Sequence, residues 1–180
     1  MIRKIIFTIP LILIFSFISK NNKFENYVET EIPYLRDLYI DMHKNPEISL
    51  MEKETSIKLA NELRKVGFEV EENFGGYGIV GILKNGEGPT ILYRTDMDAL
   101  PMEEKTGLPY ASKVITKNFD GNEVGTMHSC GHDMHMTVWT GTARALVERK
   151  NEWKGTIMMI GQPAEEIGAG AAMMLKAGLY

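Results

Sequence analysis

Residues 128–135 hold four of the five cysteine and histidine side chains of this chain. This stretch contains Cys130, which is the only cysteine, and three of the four histidines. A thiolate and an imidazole are ligands that suit Zn²⁺ and similar borderline metals. Gly131 lets the backbone bend, so that Cys130 and His132 can face one ion. The cluster predicts a metal site, and the alternative is a buried cysteine in a polar turn whose histidines cap the next helix.

The overall composition is that of an ordinary globular protein. Hydrophobic residues make up 44% and charged residues 24% of the 180 residues, and the formal net charge is −4. These values allow one domain with a sizeable core. Because no basic patch is present, we expect no nucleic-acid partner. A single cysteine excludes an internal disulfide framework.

The first twenty residues differ from the rest. Arg3 and Lys4 precede an apolar run from Ile5 to Ile18, which is the pattern of a signal peptide. No pair of small residues marks a clear cleavage site, so an uncleaved membrane anchor is the alternative. We therefore expect residues 1–20 to be an export segment, 21–30 a linker and 31–180 a folded domain.

Helical periodicity and apolar runs alternate along residues 31–180. The patterns predict helices beginning near Ile32 with Pro33 in the first turn, and over 52–66, 133–149 and 171–176. Strands are expected at 68–73, 77–83, 90–94 and 155–161, and residues 96–122 should be mostly loop. Asn85-Gly86 suggests that the second and third strands form a hairpin. This alternation indicates an α/β fold.

Asp96 and Asp98 follow the strand expected at 90–94. Ligand sites of open α/β sheets lie where a strand meets the following loop. Side chains at i and i+2 of an extended chain point to the same side. The pair could bind a metal or orient a histidine ligand, and the alternative is a pair of turn-forming residues.

Glu165 and Glu166 follow the most apolar strand of the sequence. Burying two adjacent carboxylates without partners is costly, and a metal site would remove that cost. One carboxylate could then bind the metal while the other transfers a proton. The alternative is a solvated turn.

Three motifs occur in an order that resembles one known family. They are Asp-Met-Asp-Ala-Leu-Pro, Met-His-Ser-Cys-Gly-His-Asp-Met-His and Gln-Pro-Ala-Glu-Glu, at 96–101, 127–135 and 162–166. The set looks like the zinc metallopeptidase and amidohydrolase family of the aminoacylase and carboxypeptidase G type. Its members include hippurate hydrolase, N-acyl-amino-acid amidohydrolases and hydrolases of indole-acetyl amino acids. Residues 43–47 and 107–110 also resemble signatures of this family.

The resemblance implies a fold and a role for each matching residue. The fold would be a zinc aminopeptidase-like catalytic domain with a mixed sheet flanked by helices. Residues 31–180 would be the N-terminal part of this metallohydrolase domain, truncated before an inserted dimerisation domain. Cys130, His132 and Glu166 match metal ligands, Glu165 the general base, and Asp98 an acid that supports the metal site. Two more histidine ligands would lie beyond Tyr180.

The implied activity is hydrolysis of the amide bond of N-acyl amino acids or small peptides. Two divalent ions, Zn or Mn with Co or Ni as alternatives, would activate the attacking water. The complete protein would be a homodimer or homo-oligomer, with a membrane contact only through an uncleaved 1–20 segment. Two alternatives stay open: a thiol amidase with Cys130 as nucleophile, and a non-catalytic fragment or binding protein.

The N-terminal pattern gives a first testable prediction. A reporter enzyme fused after residue 30 should be active outside the cytoplasm, because the Arg3-Lys4 start and the apolar run direct export. Activity in spheroplast and periplasmic fractions measures this. A reporter that stays soluble in the cytoplasm would contradict the predicted export segment.

Overall fold

The computed structural model describes residues 9–179, and it describes side chains from Lys23 onward. The predicted export segment therefore lies outside the residues whose side chains are described. The described chain divides into two units between Tyr34 and Leu35. Among the described residues, no helix combines the length and apolar character that a membrane span requires.

The first helix is longer than the sequence pattern predicts. Helix α1 (Ile9–Lys44) includes residues 21–30, which were expected to form a linker, and Pro33 lies inside it rather than in its first turn. Residues 11–32 contain neither glycine nor proline, so nothing in this stretch interrupts a helix. The expected helix start near Ile32 is therefore wrong.

The larger sheet of the described chain is mixed and has four strands. Its strands are β1 (Glu69–Glu71), β2 (Ile79–Asn85), β3 (Thr90–Asp96) and β6 (Gly155–Gln162), in the order β1-β2-β6-β3. β6 pairs antiparallel with β2 and parallel with β3. The predicted near-continuous apolar character of β6 fits its central position, because strands with neighbours on both edges are buried.

The predicted hairpin between the second and third strands is wrong. β2 and β3 do not pair with each other, because β6 lies between them. The turn after Asn85 is four residues long, and in it Gly86 and Gly88 have φ values of +85° and +157°. Asn85-Gly86 is a correct turn signal, but the turn leads the chain across the end of β6 instead of back along β2.

Helices cover the sheet and close the core. α2 (Lys53–Lys65) and α3 (His132–Glu148) pack against it, and α4 (Gly170–Lys176) follows β6. Leu59, Leu63 and Trp139 are fully buried in the main core. These boundaries lie within one or two residues of the predicted helices, because their apolar stripes and terminal glycines were clear signals.

A small hairpin lies in the segment that was expected to be mostly loop. Strands β4 (Ile115–Lys117) and β5 (Glu123–Gly125) pair antiparallel. The turn between them contains Asn118, whose side chain accepts hydrogen bonds from the Asp120 and Asn122 N–H groups at 3.1 and 2.9 Å. β5 leads towards the cysteine and histidine cluster, so the hairpin helps to place that cluster.

The core gives a second prediction. Trp139 is fully buried, and its indole N–H donates a hydrogen bond to the Tyr93 carbonyl at 3.1 Å, which joins α3 to β3. Trp139→Ala should lower the free energy of unfolding by about 3–5 kcal/mol because it leaves a large cavity. The half-exposed neighbour Val138 is the control, and Val138→Ala should change this free energy by no more than about 0.5 kcal/mol. Urea unfolding followed by circular dichroism measures both, and equal losses would contradict the assigned core.

Candidate metal centre

The acidic residues of the three motifs meet at one edge of the sheet. β3 and β6 run parallel, and Asp96 at the end of β3 pairs in register with Gln162 at the end of β6. The loops that carry Asp98 and the Glu165-Glu166 pair therefore leave the sheet side by side. This is the edge at which open α/β sheets place their ligands.

The cysteine and histidine cluster reaches the same edge through the start of α3. Gly131 precedes the helix with a φ of +85°, a conformation that side-chain-bearing residues rarely adopt. The chain turns there, so Cys130 stands outside the helix and His132 is its first residue. His132 is almost fully buried, whereas Cys130 is exposed. The bend at Gly131 that the sequence predicts is confirmed.

Cys130, His132 and Glu166 come together in the structure. The Cys130 sulfur, a His132 ring nitrogen and a Glu166 carboxylate oxygen all lie within 4.8 Å of one another. Glu166 Oε1 is buried and has no hydrogen-bond partner among the described residues. Sulfur, nitrogen and oxygen ligands together suit Zn²⁺. Their role as ligands remains a prediction.

The orientation of His132 leaves one ring nitrogen free to bind a cation. Nδ1 lies 2.7 Å from the backbone carbonyl oxygen of Asp98, and a carbonyl can only accept, so Nδ1 donates. Nε2 faces three carboxylates, at 3.6 Å from Asp96, 3.7 Å from Glu165 and 3.8 Å from Glu166. A hydrogen bond at the far nitrogen is the usual way in which proteins fix a metal-binding histidine.

Asp98 is a fully buried acid that supports this arrangement. Its Oδ2 accepts hydrogen bonds from the Ser49 hydroxyl at 2.6 Å and from the Glu166 N–H at 3.0 Å. Burial acts to raise the pKa of Asp98, but hydrogen bonds from His132, Ser49 and backbone N–H groups outweigh it and lower the pKa to about 2. Asp98 is therefore ionised and braces both His132 and the Glu166 backbone.

The charge balance of the site fits a bound cation. Burial acts to lower the pKa of His132, but Asp98 and Asp96 outweigh it and raise this pKa to about 9. In the absence of a metal, a proton therefore compensates the surrounding carboxylates. A divalent ion at Nε2 would replace that proton with a larger positive charge. The donor set, the unpaired Glu166 oxygen and this acidic surrounding all fit a divalent metal.

A second group of three residues adjoins the first. Asp96, His132 and His135 also bring possible ligand atoms within 4.8 Å of one another. His135 Nδ1 lies 2.8 Å from Asp96 Oδ1, and the two imidazole rings are stacked 5.6 Å apart. Arg94 approaches the same carboxylate at 3.5 Å. His132 is common to both groups, and because its Nδ1 donates to the Asp98 carbonyl, only Nε2 is left to bind one ion.

Glu165 borders the cluster and belongs to neither ligand group among the described residues. Its side chain is more open to solvent than that of Glu166, at 39% against 15%. It nevertheless reaches to 3.7 Å from His132 Nε2. A carboxylate that borders both the cluster and solvent can exchange a proton with a water molecule there. Its role as the base remains a prediction.

The remaining two histidines are buried, and His43 forms a hydrogen-bond network that the sequence patterns did not reveal. His43 Nδ1 lies 2.7 Å from Asp133 Oδ2, and its Nε2 lies 3.1 Å from Glu104 Oε1. Burial opposes the protonation of His43, but these two carboxylates raise its pKa. His128 is also buried, and burial lowers its pKa to about 4. It belongs to neither ligand group among the described residues.

Glu52 is a further site residue that sequence reasoning missed. It is fully buried, and its Oε1 accepts a hydrogen bond of 2.7 Å from the Ala164 N–H. Burial raises the pKa of Glu52 to about 7, with backbone hydrogen bonds acting against this and the Asp98 charge adding to it. In the sequence Glu52 looks like one of several charged residues at a helix start, and no spacing signal distinguishes it.

Comparison with known proteins identifies the family. Residues 92–180 match the model of peptidase family M20/M25/M40. That range contains all three motifs and every residue of the two ligand groups. The chain belongs to this family.

Two relatives show how far the similarity extends. An N-acetylcysteine deacetylase of Bacillus subtilis is 44% identical over 77% of this chain and 35% of its own length. An IAA-amino acid hydrolase of Arabidopsis thaliana is 38% identical over 77% of this chain and 30% of its own length. The chain thus spans about a third of the length of these curated relatives.

A solved structure shows the same fold. The YXEP protein of Bacillus subtilis, described as a dinuclear metal binding peptidase of the M20 family, superposes with a TM-score of 0.74. It is 40% identical, and the match covers 84% of this chain and 40% of that one. The predicted mixed sheet flanked by helices is confirmed as the fold of M20 catalytic domains.

The geometry of the cluster gives a third prediction. Cys130→Ala and His132→Ala in the complete protein should each abolish tight binding of at least one ion, because each removes one atom of the ligand group. Elemental analysis after dialysis measures the metal stoichiometry. Met134→Ala is the control, since Met134 lies on α3 beside the cluster and is half-exposed. Unchanged stoichiometry in both ligand variants would contradict the assignment.

Proposed function

We propose that this chain is the N-terminal part of a metal-dependent amidohydrolase that cleaves the amide bond of N-acyl amino acids or small peptides. The observation that carries the proposal is the convergence of Cys130, His132 and Glu166 beside Glu165. The relatives support the bond type, because a deacetylase and an amino acid hydrolase both cleave amides of amino acids.

The chain's own residues account for the binding of a cation. Cys130, His132 and Glu166 would hold one ion, and Asp96 and His135 border the space for a second. A pair of divalent ions supplies Lewis acidity, which polarises a carbonyl oxygen and lowers the pKa of water. Two ions are supported by the dinuclear neighbour. We propose Zn²⁺ or Mn²⁺, because the donor set combines sulfur, nitrogen and carboxylate oxygen.

Glu165 would supply the proton transfer. Its carboxylate faces His132 and is partly open to solvent, so it can take a proton from the attacking water. The same group would return this proton to the leaving nitrogen as the amide bond breaks. Asp98 acts differently, since it touches His132 and the Glu166 backbone and would position both.

The environment of Cys130 argues against the thiol amidase. Partial burial raises the pKa of the thiol, and Glu166, Glu165 and Asp96 raise it further. A nucleophilic cysteine needs a positive or basic neighbour that lowers its pKa. Acidic neighbours favour the thiolate only when a cation compensates them, which is the situation of a metal ligand.

Two further proposals concern the location and the assembly of the protein. We propose that residues 1–20 export the protein or anchor it to the membrane, on the evidence of their charged start and apolar run. We propose a homodimer for the complete protein. Both proposals rest on the sequence and its resemblance to the family.

The two neighbouring acids give a fourth prediction, to be tested in the complete enzyme. Glu165→Gln keeps the shape but cannot accept a proton, so metal content should survive while turnover falls by about 10²–10⁴-fold. Glu166→Gln removes a charged ligand, so metal binding should weaken and excess metal should restore part of the activity. Steady-state kinetics and elemental analysis measure these effects.

The outcomes distinguish the two roles. Metal loss in Glu165→Gln with metal retention in Glu166→Gln would reverse the assignments. Full activity in both variants would mean that the acidic pair is only a solvated turn, and it would overturn the proposed mechanism.

A further inference from the structure

We propose that Glu52 is a positioning residue of the site, which sets the direction of Glu165 and Glu166 by anchoring the backbone at Ala164. This inference rests on the proposed function. Glu52 precedes α2 and is distant in sequence from the acidic loop, because Ala164 lies 112 positions further along the chain. Its carboxylate nevertheless meets the backbone directly before Glu165.

The backbone at Ala164 has a conformation that needs support. Ala164 is fully buried and has a φ of +50°, in the left-handed region that residues with a Cβ rarely adopt. Such a conformation persists where the surroundings hold it, and it is common at functional sites. A change of φ at Ala164 would rotate the whole of the chain that follows, which carries Glu165 and Glu166.

Hydrogen bonds hold both sides of this residue. The Ala164 N–H donates to Glu52 Oε1 at 2.7 Å. The Ala164 carbonyl oxygen accepts from the N–H groups of Ala169 and Gly170, each at 3.1 Å. The carbonyl bonds are formed within the loop itself. Glu52 is thus the partner that ties the residue to another part of the fold.

One short segment braces both ends of the acidic pair. Ser49 donates to Asp98 Oδ2, and the same oxygen accepts from the Glu166 N–H. Glu52, three residues after Ser49, holds Ala164. Residues 49–52 therefore fix the backbone on both sides of Glu165, directly through Glu52 and indirectly through Asp98.

A purely structural role does not explain the choice of residue. Glu52 is fully buried, and its Oε2 has no hydrogen-bond partner among the described residues. A buried carboxyl group with an unpaired oxygen is costly, and an apolar side chain would fill the same space without that cost. The hydrogen bond that the carboxyl group accepts from the Ala164 N–H explains why an acid occupies this position.

The experiment compares Glu52→Leu with Glu52→Gln in the complete enzyme. Leucine fills the space but accepts no hydrogen bond, whereas glutamine keeps an acceptor oxygen. Glu52→Leu should lower Zn²⁺ affinity by about 10–100-fold, as is usual for residues that support metal ligands. Its kcat should fall by a factor on the order of 10² with little change in KM, because the acids are displaced rather than the substrate-binding groups. Glu52→Gln should stay close to the wild type in both.

Glu62, in the helix α2 that follows Glu52, provides a matched control. It is a nearly fully buried acid of α2, and its Oε1 pairs with Lys65 at 2.6 Å, away from the acidic loop. Glu62→Leu should leave Zn²⁺ affinity and kcat unchanged, whatever it does to the melting temperature. Losses in Glu62→Leu that match those of Glu52→Leu would overturn the positioning role.

Substitution of Ala164 tests the same link from the other partner. Glycine adopts a positive φ without strain, so Ala164→Gly added to Glu52→Leu should recover part of the lost kcat. If Glu52→Leu does not fold, Ala164→Val replaces it, because a β-branched residue opposes this φ while Glu52 stays intact. Ala164→Val should then show the same loss of kcat and Zn²⁺ affinity.

The outcomes separate this inference from the proposed function. A wild-type enzyme that binds no Zn²⁺ and cleaves no amide would overturn the proposed function. An active wild type beside a Glu52→Leu variant with unchanged kcat and Zn²⁺ affinity would overturn only the role of Glu52. Glu52→Gln losses equal to those of Glu52→Leu would also overturn it, since the acceptor oxygen is then not the cause.

Discussion

The parallel pairing of β3 with β6 is the contact on which the site depends. Because the two strands run in the same direction and end in register at Asp96 and Gln162, their following loops leave the sheet at one edge. An antiparallel pair would have placed these loops at opposite ends of the sheet. The sequence separates the Asp96 and Glu165 motifs widely, and this one pairing joins them. The start of α3 then adds Cys130 and His132 at the same edge.

Buried carboxylates keep the loops in place once the strands have brought them together. Asp98 accepts a hydrogen bond from the Glu166 N–H and borders the His132 ring. Glu52 accepts a hydrogen bond from the Ala164 N–H. Both acids are fully buried, which is costly in the absence of strong hydrogen bonds. Their partners are backbone groups of the loops that carry the candidate catalytic groups. The fold thus accepts a stability cost at the positions where side-chain direction matters for chemistry.

The sequence predicts the local structure and the candidate ligands well, and it predicts long-range pairing poorly. Periodicity identifies α2 and α3, because each buries one apolar face, and a near-continuous apolar run identifies β6. It cannot show that β6 separates β2 from β3, since both strands carry an apolar pattern that fits either neighbour. Cys130 and His132 are recognisable because their residue types are rare and their spacing is short. Glu52 is not, because a buried acid and a solvated acid look the same in a sequence, and only the tertiary fold brings Glu52 to Ala164.

The site as a whole is strongly acidic. His132 faces Asp96, Glu165 and Glu166 through Nε2 and Asp98 through Nδ1, so four carboxylates surround one imidazole. These carboxylates repel one another, and without a metal the proton on His132 offsets only part of this repulsion. Of the four carboxylates, Arg94 pairs with Asp96. A bound cation removes this repulsion, so binding and stability are linked: an ion that binds the folded chain and not the unfolded one adds its binding free energy to folding. A cation that binds at this cluster would therefore also stabilise the loops that carry it.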